Sequence, residues 1–273
     1  AVRRCAEVGA EVIVVNGGDG TAGLVFAALL NGDAYATMPT LALLPAGKTN
    51  MTTSRWSLKG TPEAAFITVL RSRRDGAVAR YTVDQPVLAL HRGAHVPPLY
   101  GAFFGAAEVV EGIRLCRKHI YPLRLPNALG HTAAIALLLW RSLGRGRKSD
   151  AISIHDGDRT VEEGAFFAIA ITALDEMLLG LRPTPAGPHA GSTSAPLHYL
   201  SLRKGPGAIF GALLSLARRR FTPGRGRTVY RLSRVTVRFT GPYTLDGEIY
   251  EAEQAQPLVL DGSYRLNFFR IPS

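Results

Sequence analysis

Cysteine is nearly absent. Cys5 and Cys116 are the only two in 273 residues, and neither has a CxxC partner or a histidine at ligand spacing. That excludes a disulfide framework and a structural zinc site, and makes a reducing cytoplasm the expected setting. Long apolar runs are absent too: the longest, Ala133 to Trp140 within Leu129 to Leu143, is bracketed by His131 and Arg141. It falls well short of the roughly 20 residues that cross a bilayer, so no transmembrane span is expected. The first residues, Ala1 to Gly9, have neither the apolar centre nor the cleavage pattern of a signal peptide and read as the last turns of a helix. Low-complexity tracts are missing, and 47% hydrophobic against 19% charged residues, with 29 Gly and 17 Pro spread throughout, is the composition of a globular chain with many turns. Acidic residues are scarce: 21 Asp and Glu face 32 Lys and Arg, a net charge of +11. The excess favours anionic partners, whether nucleotides, nucleic acid or an acidic membrane surface, without choosing among them.

What is present falls into two patterns. Glu11 to Val15 is a short β-branched run ended by Asn16-Gly17-Gly18, and Thr21 to Leu30 can wind as a helix that Asn31-Gly32 stops. The pattern repeats with Thr40 to Leu44, ended by Pro45-Ala46-Gly47, and with a helix to about Arg73 that opens on Thr61-Pro62-Glu63, a cap, a first-turn proline and a first-turn carboxylate. Strand, glycine loop and helix in alternation predict a parallel sheet with helices on its faces over residues 1–76. From about Val78 the period changes. Strands are expected at Val78 to Val83, Val87 to His91, Pro98 to Phe104, Ala151 to His155, Ala165 to Thr172, Thr228 to Arg231, Val235 to Thr240, Tyr243 to Tyr250 and Tyr264 to Arg270. Interrupted by helices at Ala106 to His119 and Asn127 to Leu143, they predict an antiparallel β-sandwich over residues 77–273.

The sharpest motif is Gly17-Gly18-Asp19-Gly20-Thr21, between a buried-type strand and a helix. Glycines let the backbone approach a phosphate, and the helix behind presents unpaired N–H groups and a positive dipole end. In a loop of this kind Asp19 can hold a metal ion or bond a nucleotide, and Thr21 can cap the helix or contact a phosphate oxygen. The same residues serve equally as a structural β-to-α turn.

This segment, followed about 25 residues on by Pro45-Ala46-Gly47-Lys48-Thr49-Asn50, resembles the diacylglycerol kinase family of lipid kinases, as does Leu245-Asp246-Gly247-Glu248. The first motif is shared with NAD kinases; the second narrows the choice to lipid kinases. The resemblance implies an α/β nucleotide-binding domain joined to a β-sandwich lipid-substrate domain, with the active site between them. Family members carry roughly a strand, a helix and a strand ahead of the first motif, so the parallel domain is expected to be N-terminally incomplete here. It implies further that ATP is held by Gly17, Gly18, Asp19, Gly20 and Thr21 and by Gly47, Lys48 and Asn50, with Mg²⁺ on the phosphates, and that a lipid hydroxyl such as that of diacylglycerol is the acceptor. Its metal ligands are not assigned. Lys48 stands where the family usually has Thr, Met51 where it usually has Asp, and an Asp usual in the segment Phe103 to Glu108 is missing. Those departures motivate the alternative of a weakened homologue that binds nucleotide or lipid; an NAD kinase is the third reading.

Asp246 and Glu248 carry two readings. A kinase needs a carboxylate within reach of the acceptor hydroxyl, which one of the two would supply as general base or metal-supporting acid. Asp246-Gly247 is also a hairpin turn. Phe103 and Phe104 read as core, and Glu108 either as a first-turn carboxylate or as a catalytic group. Basic clusters at Arg71 to Arg74, Arg141 to Lys148 and Arg218 to Arg227 are solvated faces or a peripheral contact with anionic membrane. Aromatics do not interleave the basic runs as they would on a stacking platform, and no zinc-finger or RNP signature appears, so nucleic acid is not the expected partner. Oligomeric state has no signature in the sequence.

Overall fold

The computed structural model describes residues 1–46, 56, 58–120, 151–177, 180–186, 194–253 and 255–271. Helix α1 (Val2–Glu7) leads into β1 (Val12–Gly17), α2 (Asp19–Leu30) and β2 (Thr40–Pro45); α3 (Pro62–Arg74) and a short α4 (Val78–Tyr81) follow. Thr61 caps α3 as its composition predicts, accepting the Ala64 N–H at 3.3 Å, with Pro62 in the first turn and Arg71, Arg73 and Arg74 in the last.

β1 and β2 pair in parallel, and the sheet continues with β18 (Arg265–Phe269), parallel to β2, and β3 (Thr82–Pro86), antiparallel to β18. Side-chain alternation gives this sheet two apolar faces. Ile13, Val15, Leu41, Leu43 and Phe268 pack with Ala22, Phe26 and Leu29 of α2, while Ala42, Leu44 and Phe269 pack with Ala65 and Val69 of α3. Helices therefore cover both faces, which is why β2 is buried along almost its whole length.

Two six-stranded antiparallel sheets make up the rest. One runs in the order β5 (Leu99–Gly101), β4 (Leu88–His91), β17 (Leu258–Asp261), β14 (Arg234–Arg238), β7 (Ile152–Asp156), β8 (Arg159–Gly164). The other runs β13 (Arg227–Leu232), β11 (Leu197–Arg203), β9 (Phe166–Thr172), β6 (Phe103–Ala107), β15 (Gly241–Leu245), β16 (Glu248–Ala252). Their inner faces share one core, in which Leu88, Leu90, Ile152, Ile154, Val235 and Leu260 meet Phe104, Ile169, Ile171, Tyr199 and Tyr243. The outer face of the second sheet is covered in part by α6 (Pro206–Ala217), and α5 (Glu108–Leu115) follows β6 and runs into a π-turn at Cys116–Ile120. The two-minor-strand pairing of β10 (Arg182–Pro183) with β12 (Arg220–Phe221) lies apart from both sheets.

The fold class is the expected one, an α/β domain with a parallel sheet joined to an antiparallel sandwich, with differences in detail. Val78 to Val83 is a helical turn that becomes strand only at Thr82, and Tyr264 to Arg270 is a strand as expected but pairs with β2. Pro98 to Phe104 is two strands in different sheets, because the chain crosses between sheets at Ala102. The expected helix over Asn127 to Leu143 lies outside the described residues.

Candidate active site

The strands that lead into the two glycine motifs end side by side. Gly17 is the register partner of Pro45, so the loop after β1 and the start of the segment after β2 lie at adjacent carboxyl ends of parallel strands. In open α/β sheets that edge is where ligands bind. Gly47, Lys48, Thr49, Asn50 and Met51 lie outside the described residues.

Gly18 is the N-cap of α2 in an extended conformation, and Asp19 is already the first helical residue. Asp19 was expected on an open loop; its place at the start of α2, only 7% exposed, makes it a buried first-turn carboxylate beside the positive end of the helix. Gly17 has a steric reason to be glycine: a Cβ there would lie 2.6 Å from both Cβ and Oγ1 of Thr21. A Cβ on Gly20, the second residue of α2, would meet nothing within 4 Å, so that side of the first turn faces open space. The N–H groups of a first helical turn are the donors that a phosphate cradle uses.

Asp246 and Glu248 part company. Leu245 pairs directly with Glu248, leaving Asp246 and Gly247 as a two-residue hairpin turn with φ of +48° and +93°, the left-handed pair of a type I′ turn. The Asp246 carboxylate reaches back to the crossover: Oδ1 accepts the N–H of Phe103 at 2.9 Å and of Ala102 at 3.1 Å, and Oδ2 accepts the Ala102 N–H at 3.0 Å. The Asp246 N–H donates to the Phe103 carbonyl at 2.8 Å. Glu248 is different, with its side chain 59% exposed and Arg117 Nη2 at 3.4 Å; the same nitrogen donates to the Gly247 carbonyl at 2.8 Å.

One strand links these groups to the glycine loop. α2 packs on β5, where Gly23 leaves room for the Tyr100 carbonyl, which would lie 2.9 Å from a Cβ at position 23. The next residue, Gly101, leaves room for Asp246, whose Oδ2 would lie 2.3 Å from a Cβ there. The first half of α2 and the Asp246-Gly247 turn thus flank neighbouring residues of β5. Sequence reasoning did not find the parts played by Tyr100, Gly101 and Arg117. Tyr100 Oη donates to Asn31 Oδ1 at 3.0 Å, and burial, with Tyr264 beside it, pushes its phenol above the ordinary tyrosine range.

Phe103 and Phe104 are core, as expected, and Glu108 is the first residue of α5. Among the described residues no group of three or more His, Cys, Asp or Glu is placed to hold a metal ion.

A parallel sheet with a glycine turn at its carboxyl edge, joined to an antiparallel sandwich, is a two-domain fold that solved structures share. Among solved structures, one described as "a putative diacylglycerol kinase" from Bacillus anthracis str. Sterne superposes with a TM-score of 0.62 at 14% identity, covering 99% of this chain and 81% of that one. A diacylglycerol kinase structure from the same organism gives 0.59 at 14% identity, covering 99% and 82%. At that identity the likeness shows the fold. Residues 1–80 match the family model of the diacylglycerol kinase catalytic domain, which bears out the resemblance carried by Gly17 to Thr21. No curated protein matches the chain.

Proposed function

We propose that the protein is an ATP-dependent lipid kinase acting on a lipid hydroxyl such as that of diacylglycerol, in the cytoplasm at the surface of an anionic membrane. The observation that carries this reading is the Gly17 to Pro45 register, which brings together the ends of β1 and β2, where the two motifs begin. The N–H groups of the first turn of α2, with Gly17, Gly18 and Gly20, receive the nucleotide phosphates, and Thr21 closes the loop. Gly47, Lys48 and Asn50 complete the nucleotide contacts in this proposal. Mg²⁺, when bound, would neutralise phosphate charge, and Asp19, the first-turn carboxylate of α2, would be the side chain that holds it. Asp246 is assigned to positioning, since its oxygens already hold the Ala102 and Phe103 N–H groups. Glu248 is assigned as the general base: its exposed carboxylate takes the hydroxyl proton as the acceptor oxygen bonds to the γ-phosphorus, while the bond to the bridging β–γ oxygen breaks and ADP departs.

The test is transfer of labelled γ-phosphate from ATP to diacylglycerol in mixed micelles, with sphingosine and NAD as rival acceptors. Labelled phosphatidic acid is expected, and Glu248→Gln should lower kcat by about 10²- to 10⁴-fold without moving Tm. Label in NADP instead would establish the NAD kinase reading. Nucleotide binding with no transfer to any acceptor would establish the weakened homologue.

A further inference from the structure

The positive charge of this protein has an address. From Met177 to Leu245 the chain holds eleven Lys or Arg and not one Asp or Glu, so this run carries a charge equal to the +11 of the whole chain. At its centre lies α6, a helix with two apolar faces. The inner face, Ala208, Ile209, Gly211 and Ser215, is buried on the second sheet, and Arg227 locks it there: Nη1 donates to the Gly211 carbonyl and, at 2.7 Å, to Ser215 Oγ. The outer face repeats at helical spacing, with Phe210, Leu213 and Leu214 at 69%, 41% and 39% exposure and Ala217 beside them. Scattered exposed leucines need no explanation, but a phenylalanine and two leucines contiguous on one helical face do.

The rim says what covers them. Arg218 continues the same stripe one turn after Leu214, and Arg219 and Arg220 follow, all exposed. At the other end Lys204 precedes the helix and the Arg225 side chain lies beside Gly207, its Cδ 3.8 Å from where a Cβ would stand. Next to the C-terminal end a cleft of about 550 Å³ is lined by Arg218, Arg219 and Arg220 with Arg182 and Arg231, opposite Asp175 and Glu176. Both acids are already matched. Arg182 holds Glu176 at 3.0 Å, and the hydrogen bond from His198 keeps the Asp175 carboxyl below its ordinary range.

We infer that the outer face of α6 is a membrane-docking surface, which inserts Phe210, Leu213 and Leu214 among the acyl chains of an anionic bilayer while the arginines at its C-terminal end take the lipid phosphates. An apolar stripe rimmed by basic residues on a helix lying in the interface plane is what such binding requires. The inference rests on the lipid-kinase reading for its purpose, and its test reads binding without turnover, so each can fail alone.

The experiment is cosedimentation of the whole chain with phosphatidylcholine vesicles containing 0 or about 30% phosphatidylglycerol, at low and high salt. Wild type should bind the anionic vesicles and be released by salt. Phe210→Asp with Leu214→Asp should weaken binding at least about tenfold through lost apolar insertion. Arg218→Gln, Arg219→Gln and Arg220→Gln together should weaken it about a hundredfold, at roughly fivefold for each arginine near the surface. Both variants should keep the wild-type Tm. Equal binding to neutral vesicles, or variants that bind as wild type does, would overturn the docking surface. A wild-type dimer in sedimentation velocity that Phe210→Asp splits, while vesicle binding persists, would assign the face to a second copy of the chain and overturn it as well.

Discussion

Asp246 shows how one side chain can satisfy both readings of its motif. Its backbone makes the turn, at a φ that asparagine and aspartate tolerate better than other non-glycine residues. Its carboxylate accepts two N–H groups exactly where the chain leaves one sheet for the other. Those N–H groups belong to Ala102 and Phe103, which are buried, so no solvent replaces the carboxylate. Asp246→Ala should therefore cost about 2–4 kcal/mol, from the unsatisfied donors and the strained φ together. Asp246→Asn keeps the turn and one acceptor oxygen and should cost under about 1 kcal/mol. Urea unfolding of the two variants checks this; equal losses would mean the carboxylate contributes nothing that the amide does not. The sequence made Asp246 legible as a turn and, by resemblance, as part of a site, but its partners were invisible because they lie 143 and 144 residues away.

Elements defined by local chemistry were the readable ones. α3 carries its cap, its proline and its basic last turn in sequence, and β1 and β2 are unbroken apolar runs closed by glycine or proline. β11 and α6 were not recognised: β11 is interrupted by His198 and Ser201, and α6 contains two internal glycines that weaken a helical reading. The signal for α6 was nonetheless there, in Gly205-Pro206 at the start and apolar residues at Ile209, Phe210, Leu213 and Leu214. The junction of β1 and α2 has a sharp steric test. Gly17→Val would drive its Cβ and methyls into Thr21, whose atoms stand 2.6 to 2.8 Å from that position. It should open the loop, weaken nucleotide binding by at least about tenfold and lower stability by about 1–3 kcal/mol. Gly20→Ala, whose added methyl meets nothing within 4 Å, should leave stability nearly unchanged. Isothermal titration with ATP and thermal melts separate the two, and a Gly17→Val chain that melts and binds as wild type would refute the assigned geometry of the cradle.

Across the whole molecule, the chain closes on itself. Its early strands β1 and β2 are completed by β18, which arrives after both antiparallel sheets have been built. A local reading could identify that last strand but not its partner, since alternation and turn signals say nothing of pairing across more than 200 residues. Phe268 is the clasp: fully buried, it meets Phe26 edge-on with ring centroids 5.7 Å apart at 84°, and lies 4.7 Å from the Trp56 ring. The core that holds it is continuous with the sandwich core, since Phe268, Phe26 and Trp56 belong to the same buried cluster as Leu88, Leu90 and Leu260. The parallel sheet should therefore not melt independently of the sandwich. Phe268→Ala should remove about 3–5 kcal/mol, the usual cost of a phenylalanine-sized void. The transition should remain single, because a void at this position loosens both cores at once. Calorimetry of the variant would show one lowered peak; a split into two peaks, one near the wild-type Tm, would mean that the sandwich stands without its clasp and that the two parts are joined only by covalent chain.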